Sequence, residues 1–161
     1  MELWDLYDKN KNKLNKDHIW GEKLPNDTYH LVVHVWIKNN QNRYLISKRA
    51  KYKKYPLMLE CVGGSVLKGE TTFDAAIRET KEEVGVDLTN IKGKFITSII
   101  REDFQDIVDV YEFNYNNEPN LKNATTDEVE EVKWMEKEEI INLFKEGKFM
   151  PTLKYFLKYL K

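Results

Sequence analysis

The sequence predicts an α+β fold with a mixed β-sheet, in one domain that spans residues 1–161. Short apolar runs rich in β-branched and aromatic residues indicate strands, at residues 3–7, 29–37, 44–48, 94–100, 107–113 and 129–134. Apolar residues at helical spacing indicate helices, at residues 72–84, 137–146 and 151–160. Strands and helices follow one another without strict alternation, which favours a mixed sheet over a purely parallel one.

Length and charge narrow the classes of function. The chain has 161 residues, of which 41% are hydrophobic, so it can bury one sizeable core. Its 26 Lys and Arg residues nearly balance 27 Asp and Glu residues, for a net charge of −1. Because polyanions are usually bound by a basic surface, this balance argues against a nucleic acid polymer or an anionic membrane as the partner. An anionic small molecule would have to be bound by local groups.

Cysteine content and hydropathy indicate a cytoplasmic protein. Cys61 is the only cysteine, so no disulfide can form within the chain. The N-terminal residues lack the apolar stretch of a secretory signal, and nowhere do about 18 apolar residues run together. A soluble protein of a reducing compartment is therefore expected.

The helix at residues 72–84 has the clearest local signal. Its apolar or small residues recur at i, i+3, i+4, i+7 and i+11, and they are Phe73, Ala76, Ile77, Thr80 and Val84. Thr71 and Asp74 can form a capping box at its start. Gly85 suits the left-handed residue that follows a helix end.

Other segments carry weaker signals. Two polar, Asn-rich segments, residues 9–17 and 114–127, are predicted to be a turn and a surface loop. Pro151 can open the last helix as its first residue. That helix is predicted to pack into the core through Leu153, Phe156, Leu157 and Leu160.

Three glutamates, Glu79, Glu82 and Glu83, fall within an arc of about 100° on the first helix, opposite its apolar stripe. A solvated helix face is the ordinary explanation for such a run of charges. Gly63 and Gly64 lie in the preceding loop, where glycine lets the backbone approach a ligand closely. Carboxylates together with a bare carbonyl form an all-oxygen set, which favours a site for Mg²⁺ or Mn²⁺.

The stretch GSVLKGETTFDAAIRETKEEVGV, residues 64–86, resembles the Nudix box, G-x5-E-x7-R-E-U-x-E-E-x-G-U with U apolar. The matching residues are Gly64, Glu70, Arg78, Glu79, Glu82, Glu83, Gly85 and Val86. Thr80 replaces the first apolar U, and its hydroxyl is predicted to bond back to a carbonyl of the preceding turn. Upstream, LECVGG stands where many relatives have Trp-Glu-x-Pro-Gly-Gly, so Leu59 and Val62 replace that Trp and Pro.

The resemblance implies the Nudix α/β/α sandwich, with the box as a loop, a helix and a second loop. It also implies a hydrolase that uses water and a divalent cation, Mg²⁺ or Mn²⁺, to cleave a diphosphate linked to another group, X. Glu79 and Glu83 resemble the primary metal ligands, and Glu82 resembles a further ligand. The carbonyl of Gly64 resembles another.

The resemblance assigns further roles within the box. Arg78 resembles the family's orienting arginine, which is held against a box carboxylate, and Glu70 resembles a structural residue beside it. The base that takes a proton from water varies among relatives, and Glu79 or Glu82 is expected to serve here. No covalent nucleophile is required for this chemistry.

Candidates for substrate binding lie outside the box. Arg49 and Lys53 can meet phosphate oxygens, although an ordinary basic loop explains them equally well. His30 and His34 share one face of a strand, where a polar edge contact is the ordinary explanation, and His30 at the strand start is a candidate for ligand contact. Glu128 belongs to the run DEVEEVKWM, where a glutamate adds a metal ligand or a base in some relatives. An exposed strand edge is the alternative for that run.

Cys61 keeps a second activity open, because isopentenyl-diphosphate isomerases share this fold and use a thiol close to the same loop. In those isomerases the cysteine lies where this chain has Gly63, and the following histidine is replaced here by Ser65. A buried strand cysteine is therefore expected. A catalytically silent ligand-binding module is a third alternative, against which the complete box argues. The identity of X and the oligomeric state stay open, with a homodimer among the alternatives.

Overall fold

The structure is a computed structural model that describes residues 1–160. Its strands are β1 (Leu3–Tyr7), β2 (Lys13–Ile19), β3 (His30–Lys38), β4 (Arg43–Arg49), β5 (Leu59–Glu60), β6 (Val62–Ser65), β7 (Gly93–Arg101), β8 (Asp106–Asn114) and β9 (Val129–Glu136). Its helices are α1 (Thr72–Val84), α2 (Lys137–Lys145) and α3 (Phe156–Tyr159). Each of the six predicted strands has a counterpart, and α1 has the predicted bounds.

The main sheet has seven strands and is mixed, as predicted. Its central order is β5-β4-β3-β8-β7, with β6 also paired to β3 and β9 also paired to β4. β3 and β8 run parallel in the middle of the sheet, and the strands on either side are antiparallel to their neighbours. β1 and β2 form a separate hairpin, which a bridge between Tyr7 and Tyr29 links to the region before β3.

The two faces of β3 contribute to two separate cores, because successive side chains of a strand point to opposite faces. Val33 packs with Ala76 and Val84 of α1 in the first core. Trp36 packs in the second core, which also contains residues of α2 and α3. The sheet is thus covered by helices on both faces, which confirms the α/β/α sandwich. None of the helices in the described part of the chain is long and apolar enough to cross a membrane.

Helix α1 begins and ends as its sequence predicts. The Thr71 side chain accepts a hydrogen bond from the Asp74 backbone, and the reciprocal bond completes the capping box. Gly85 ends the helix with φ 70°, in the left-handed region that glycine adopts without strain. Inside the helix, the buried Thr80 hydroxyl donates to the Ala76 carbonyl at 2.7 Å, so this polar side chain is satisfied within the core.

The loop at residues 114–127 is fastened to the end of α1. The backbone amides of Thr125 and Thr126 donate to the Glu82 carbonyl at 2.9 and 3.2 Å. A Cβ on Gly85 would lie 2.7 Å from the Asn120 carbonyl oxygen, so the loop backbone packs directly on this glycine. The last turn of α1 is therefore held by the loop as well as by its own hydrogen bonds.

The buried face of α1 differs from the prediction in one respect that matters for the site. Phe73, predicted to be in the apolar stripe, is 37% exposed, whereas Glu83, predicted to face away from the core, is only 6% exposed. The physical reason is helical geometry: Glu83 follows Ala76 by two turns and therefore lies on the same side of the helix. One of the three glutamates is consequently enclosed by protein.

Four segments were predicted incompletely. The predicted turn at residues 9–17 contains the start of β2, because its polar residues pair with β1. The short strands β5 and β6 were not predicted. The predicted last helix is a 3₁₀ turn at Pro151–Leu153 followed by α3, since several amides in it bond three residues back instead of four. As a result Leu157 is exposed and does not belong to the core.

Candidate active site

One cavity of about 500 Å³ lies between α1, the sheet and the β1–β2 hairpin. Its charged lining is acidic in balance: six glutamates face four basic side chains. The glutamates are Glu2, Glu60, Glu79, Glu82, Glu83 and Glu128, and the basic residues are Arg49, Lys53, Arg78 and Arg101. The cavity therefore contains the predicted metal-binding glutamates together with Arg49 and Lys53.

Arg78 lies at the centre of a network of carboxylates. Its guanidinium binds both oxygens of Glu70, with Nε to Oε2 at 2.7 Å and Nη2 to Oε1 at 2.9 Å. Its Nη1 donates to Glu79 at 3.0 Å and to Glu82 at 3.1 Å. Nη2 also donates to the Ser65 carbonyl at 3.0 Å. Arg78 thus ties α1 to the preceding loop and is held against box carboxylates, as the sequence predicts.

Gly64 lies directly against Glu79. A Cβ built on Gly64 would overlap the Glu79 carboxylate. β6 holds this glycine in register, since Gly64 pairs with Val33 of the buried strand β3. Only glycine leaves room here for the carboxylate to approach the backbone, so the two predicted metal-binding residues are brought together.

Two of the carboxylates in this cavity have strongly raised pKa values. Burial raises the pKa of Glu83 well above its usual range, and repulsion from Glu79 and Glu60 raises it further, while Lys53 opposes them. Burial also raises the pKa of Glu79 to about 7, although Arg78 acts in the opposite direction. Within residues 1–160 the Glu83 carboxylate has no hydrogen bond and no ion pair.

The donor chemistry of these residues fits a divalent cation. In the described residues no three His, Cys, Asp or Glu side chains are arranged to hold a metal as they stand, and Arg78 donates to both Glu79 and Glu82. Burying a carboxylate without a hydrogen-bond or ion-pair partner nevertheless costs free energy. Glu83 is such a carboxylate, and a second carboxylate lies beside it. An oxygen-preferring cation would supply the missing charge, with Glu83, Glu79, Glu82 and the Gly64 carbonyl as the groups to hold it.

The basic candidates for substrate binding are paired with acids. The Arg49 Nη1 donates to both oxygens of Glu60, at 3.0 and 2.7 Å. Lys53 donates to Glu128 at 3.1 Å. Both cations line the cavity, so they remain available to an anion there. Each also partly neutralises a glutamate that has no place in the box.

The two histidines of β3 occupy different surroundings. His30, the predicted ligand contact, lies at the buried strand start, where its ring stacks on Trp4 at 3.9 Å between centroids. Burial lowers its pKa to about 4. His34, four residues further along β3 on the same face of the strand, lines the cavity. The structure therefore brings His34, and not His30, to the cavity.

A sequence profile of the NUDIX domain matches residues 28–160. The match covers the seven-stranded sheet, α1 and all of the cavity glutamates except Glu2. The chain belongs to the Nudix family. The Nudix box at residues 64–86 is therefore the family motif, and this protein is an enzyme of the Nudix hydrolase family.

Individual relatives agree with that assignment. An uncharacterised Nudix hydrolase of Listeria innocua is 41% identical over 157 residues, which cover 94% of this chain and 89% of the relative. An isopentenyl-diphosphate Delta-isomerase of Salmonella heidelberg is 32% identical over 91 residues, which cover 55% of this chain and 49% of the isomerase. DR0079 from Deinococcus radiodurans has a similar fold, with a TM-score of 0.81 at 20% identity over 99% of this chain and 100% of that protein.

Sequence reasoning missed part of this Nudix site. The sequence analysis predicts no role for Glu60. This residue occupies the glutamate position of the family's Trp-Glu-x-Pro-Gly-Gly pattern, and that pattern is the signal that could have identified it. Glu2 and Trp20 reach the cavity from the β1–β2 hairpin, and no motif marks them. Arg101 arrives from the end of β7. These residues come together only through tertiary folding.

Cys61 lines the same cavity of the Nudix protein and is 3% exposed. Burial raises the pKa of its thiol, and the neighbouring Glu60 and Glu83 carboxylates act in the same direction. The thiol is therefore protonated at neutral pH. Its burial between β5 and β6 agrees with the expected strand cysteine.

Proposed function

We propose that this Nudix protein hydrolyses a diphosphate linkage in a nucleoside diphosphate derivative or a related X-diphosphate, with Mg²⁺ or Mn²⁺ as its cofactor. The observation that carries the proposal is the state of Glu83. Its carboxylate is buried without a partner, next to Glu79, which itself lies against Gly64. A site with this excess of buried negative charge is suited to a divalent cation.

The charge balance of the cavity supports the same conclusion. A diphosphate is an anion, and a lining of six glutamates against four basic side chains would repel it. A bound divalent cation would offset that excess of two negative charges, and it would also lower the pKa of bound water and neutralise phosphate oxygens. Arg49 and Lys53 would then exchange part of their interaction with Glu60 and Glu128 for phosphate oxygens.

Each residue of the box has a proposed part. Glu79 and Glu83 hold the cation, with Glu82 and the Gly64 carbonyl as further ligands. Arg78 keeps Glu79 and Glu82 oriented through its Nη1. The reaction is attack by a water oxygen on one phosphorus, with cleavage of the bridging P–O bond. Glu79 or Glu82 takes the proton from the water, and the departing phosphate oxygen keeps the bond's electron pair.

The experiment is a colorimetric phosphate-release screen of the purified chain over diphosphate compounds. The panel contains nucleoside diphosphate sugars, dinucleoside polyphosphates, modified nucleotides and isoprenoid diphosphates, each treated with added phosphatase so that any exposed phosphate monoester is counted. Turnover with Mg²⁺ or Mn²⁺ that stops in excess EDTA is expected. Full turnover in EDTA, or none with any compound, would reject the proposal.

The isomerase relative and the cavity position of Cys61 make diphosphate isomerisation the second candidate. It predicts conversion of isopentenyl diphosphate to the dimethylallyl isomer without phosphate release. Hydrolysis in water enriched in oxygen-18 would instead place the label in a released phosphate. A ligand that binds in the cavity without either reaction would indicate the silent module.

A further inference from the structure

A chain of hydrogen bonds runs beneath the cavity from Trp36 to His34. The indole Nε1 of Trp36 lies 3.0 Å from the Tyr155 hydroxyl. The same hydroxyl lies 2.7 Å from Nδ1 of His34, and the two rings are stacked. Tyr155 comes from the short turn that separates Pro151–Leu153 from α3, so the C-terminal segment fixes the ring of a central strand.

The direction of these bonds determines the tautomer of His34. An indole N–H can only donate, so the Tyr155 oxygen accepts from Trp36. The hydroxyl proton of Tyr155 then needs an acceptor, and within residues 1–160 His34 Nδ1 is the remaining partner of that hydroxyl. His34 Nδ1 therefore accepts, and the ring carries its proton on Nε2.

The Nε2–H group of His34 faces the cavity. Nε2 makes no hydrogen bond within residues 1–160, and it is not fully enclosed by protein. The residue lines the cavity, so the free N–H is accessible from there. Burial lowers the pKa of His34 to about 3, which agrees with a neutral ring.

Arg101 presents a second donor at the same place. Asp106 holds the guanidinium through Nε and Nη2 at 2.8 and 2.6 Å, and Nη1 has no partner in the described residues. Arg101 lines the cavity, and its charge acts on His34. The two residues thus form a pair of fixed donors, on β3 and β7, apart from the glutamates of α1.

We infer that His34 is a specificity-determining residue, whose fixed Nε2–H donates, beside Arg101, to an oxygen or nitrogen acceptor on the X group of the substrate. Tyr155 is a positioning residue for that donor. The inference rests on the proposed function, since it presumes that the diphosphate lies at the glutamates. It predicts a preference for X groups that carry acceptors, such as sugars and nucleosides, over hydrocarbon X groups.

The first test determines the tautomer of His34 and requires no substrate turnover. Long-range nitrogen–proton NMR spectra of protein labelled at His18, His30 and His34 distinguish the two neutral tautomers, and His34→Gln assigns the signal. The Nε2–H form is expected for His34 at pH 7, with mixed tautomers in Tyr155→Phe. An Nδ1–H form in the wild type would overturn the inference.

The second test compares two probes, ADP-ribose, whose X group has acceptors, and isopentenyl diphosphate, whose X group has none. His34→Leu is expected to lower kcat/KM for ADP-ribose about 10-fold, as for a lost hydrogen bond, and to leave isopentenyl diphosphate within about twofold. His34→Gln, which keeps an N–H donor, should recover most of the loss. Equal losses for both probes would show contact with the diphosphate itself and would overturn the inference.

Binding separates this inference from the proposed hydrolysis. ADP-ribose is expected to shift the His34 Nε2 resonance, and isopentenyl diphosphate is not. If ADP-ribose shifts the signal but no compound is hydrolysed, the proposed function fails and the inference stands. If hydrolysis proceeds and no X-bearing compound shifts the signal, the inference alone fails. Melting temperatures of each variant establish that it is folded.

Discussion

The carboxylate of Glu79 lies against the Cα of Gly64, with no room for a Cβ between them. This contact joins a strand of the sheet to the acidic face of α1. It makes the geometry of the acidic site depend on a residue that has no side chain. The effect of disturbing this contact can be measured separately from the effect of removing the Glu79 charge.

Replacing Gly64 with Ala is expected to displace the Glu79 carboxylate and lower kcat by about 10²-fold or more, on the scale of a lost electrostatic contact. Stability should change little, because the end of a flexible side chain can move aside. Kinetics and thermal melts measure the two effects. In a Glu79→Ala background, which removes the overlapping group, Gly64→Ala should cost little more. Fully additive losses would contradict a mechanism through Glu79.

Replacing Glu83 with Gln should abolish most activity without harming the fold. We expect kcat to fall about 10²- to 10⁴-fold, because the substitution removes a charge directed at the cation. In EDTA the melting temperature should stay the same or rise, since the cost of desolvating an ionisable group without a partner is removed. Glu146→Gln is the matched control, because Glu146 is an exposed residue after α2. Wild-type activity in Glu83→Gln would exclude Glu83 as a metal ligand.

In the metal-free protein, the contribution of Glu79 to stability should fall as the pH rises from about 4.5 to about 7. The pKa of Glu79 is raised to about 7 in the folded chain, from a usual value of 4.5. At Glu79 the folded state therefore binds more protons than the unfolded state across that window, so this residue favours folding less as the pH rises. The effect from Glu79 is on the order of 2 kcal/mol. Urea midpoints in EDTA at several pH values measure it.

The matched comparison for this pH effect is Glu79→Gln, which cannot titrate. Burial lowers the pKa values of His30 and His34 to about 4 and about 3. In both proteins these two residues therefore increase the free energy of unfolding as the pH rises toward 6.5. The difference between wild type and variant isolates the glutamate. If wild-type stability rises with pH as much as that of Glu79→Gln, Glu79 ionises normally.

Cys61 separates hydrolysis from isomerisation. Cys61→Ser places a hydroxyl in a buried position, at a cost of roughly 1–3 kcal/mol, and Cys61→Ala should be milder. Both variants should keep nearly normal hydrolysis below their melting temperatures. Isomerisation of isopentenyl diphosphate by the wild type that disappears in Cys61→Ala would instead assign the thiol a catalytic role.

Local signals predicted α1 well, and they failed where tertiary structure decides. Thr71, Thr80 and Gly85 each act within one or two turns, so their roles follow from spacing alone. The side of α1 on which Glu83 lies follows from its spacing to Ala76, whereas its place in the cavity depends on how α1 sits over β6. β2 is stable only because it pairs with β1, and its polar residues give no strand pattern.

The site was predictable in its motif and unpredictable in its surroundings. The box fixes Arg78 and the glutamates on one helix, and its spacing sufficed to find them. Glu60, Trp20 and Arg101 reach the cavity from three other elements. Their approach requires the whole sheet topology. That topology also places His34 at the cavity, where the sequence favours His30.

The parallel pairing of β3 with β8 has a consequence for the order in which the molecule forms. Residues 30–38 pair with residues 106–114, so α1 and all the box glutamates are synthesised before the central partner strand exists. Contacts between distant segments form slowly, because loop closure costs entropy before any contact repays it. During that interval the glutamates are in water and ionised. We expect their desolvation to be a late event, and we expect a divalent cation present at that moment to accelerate the final closure of the chain.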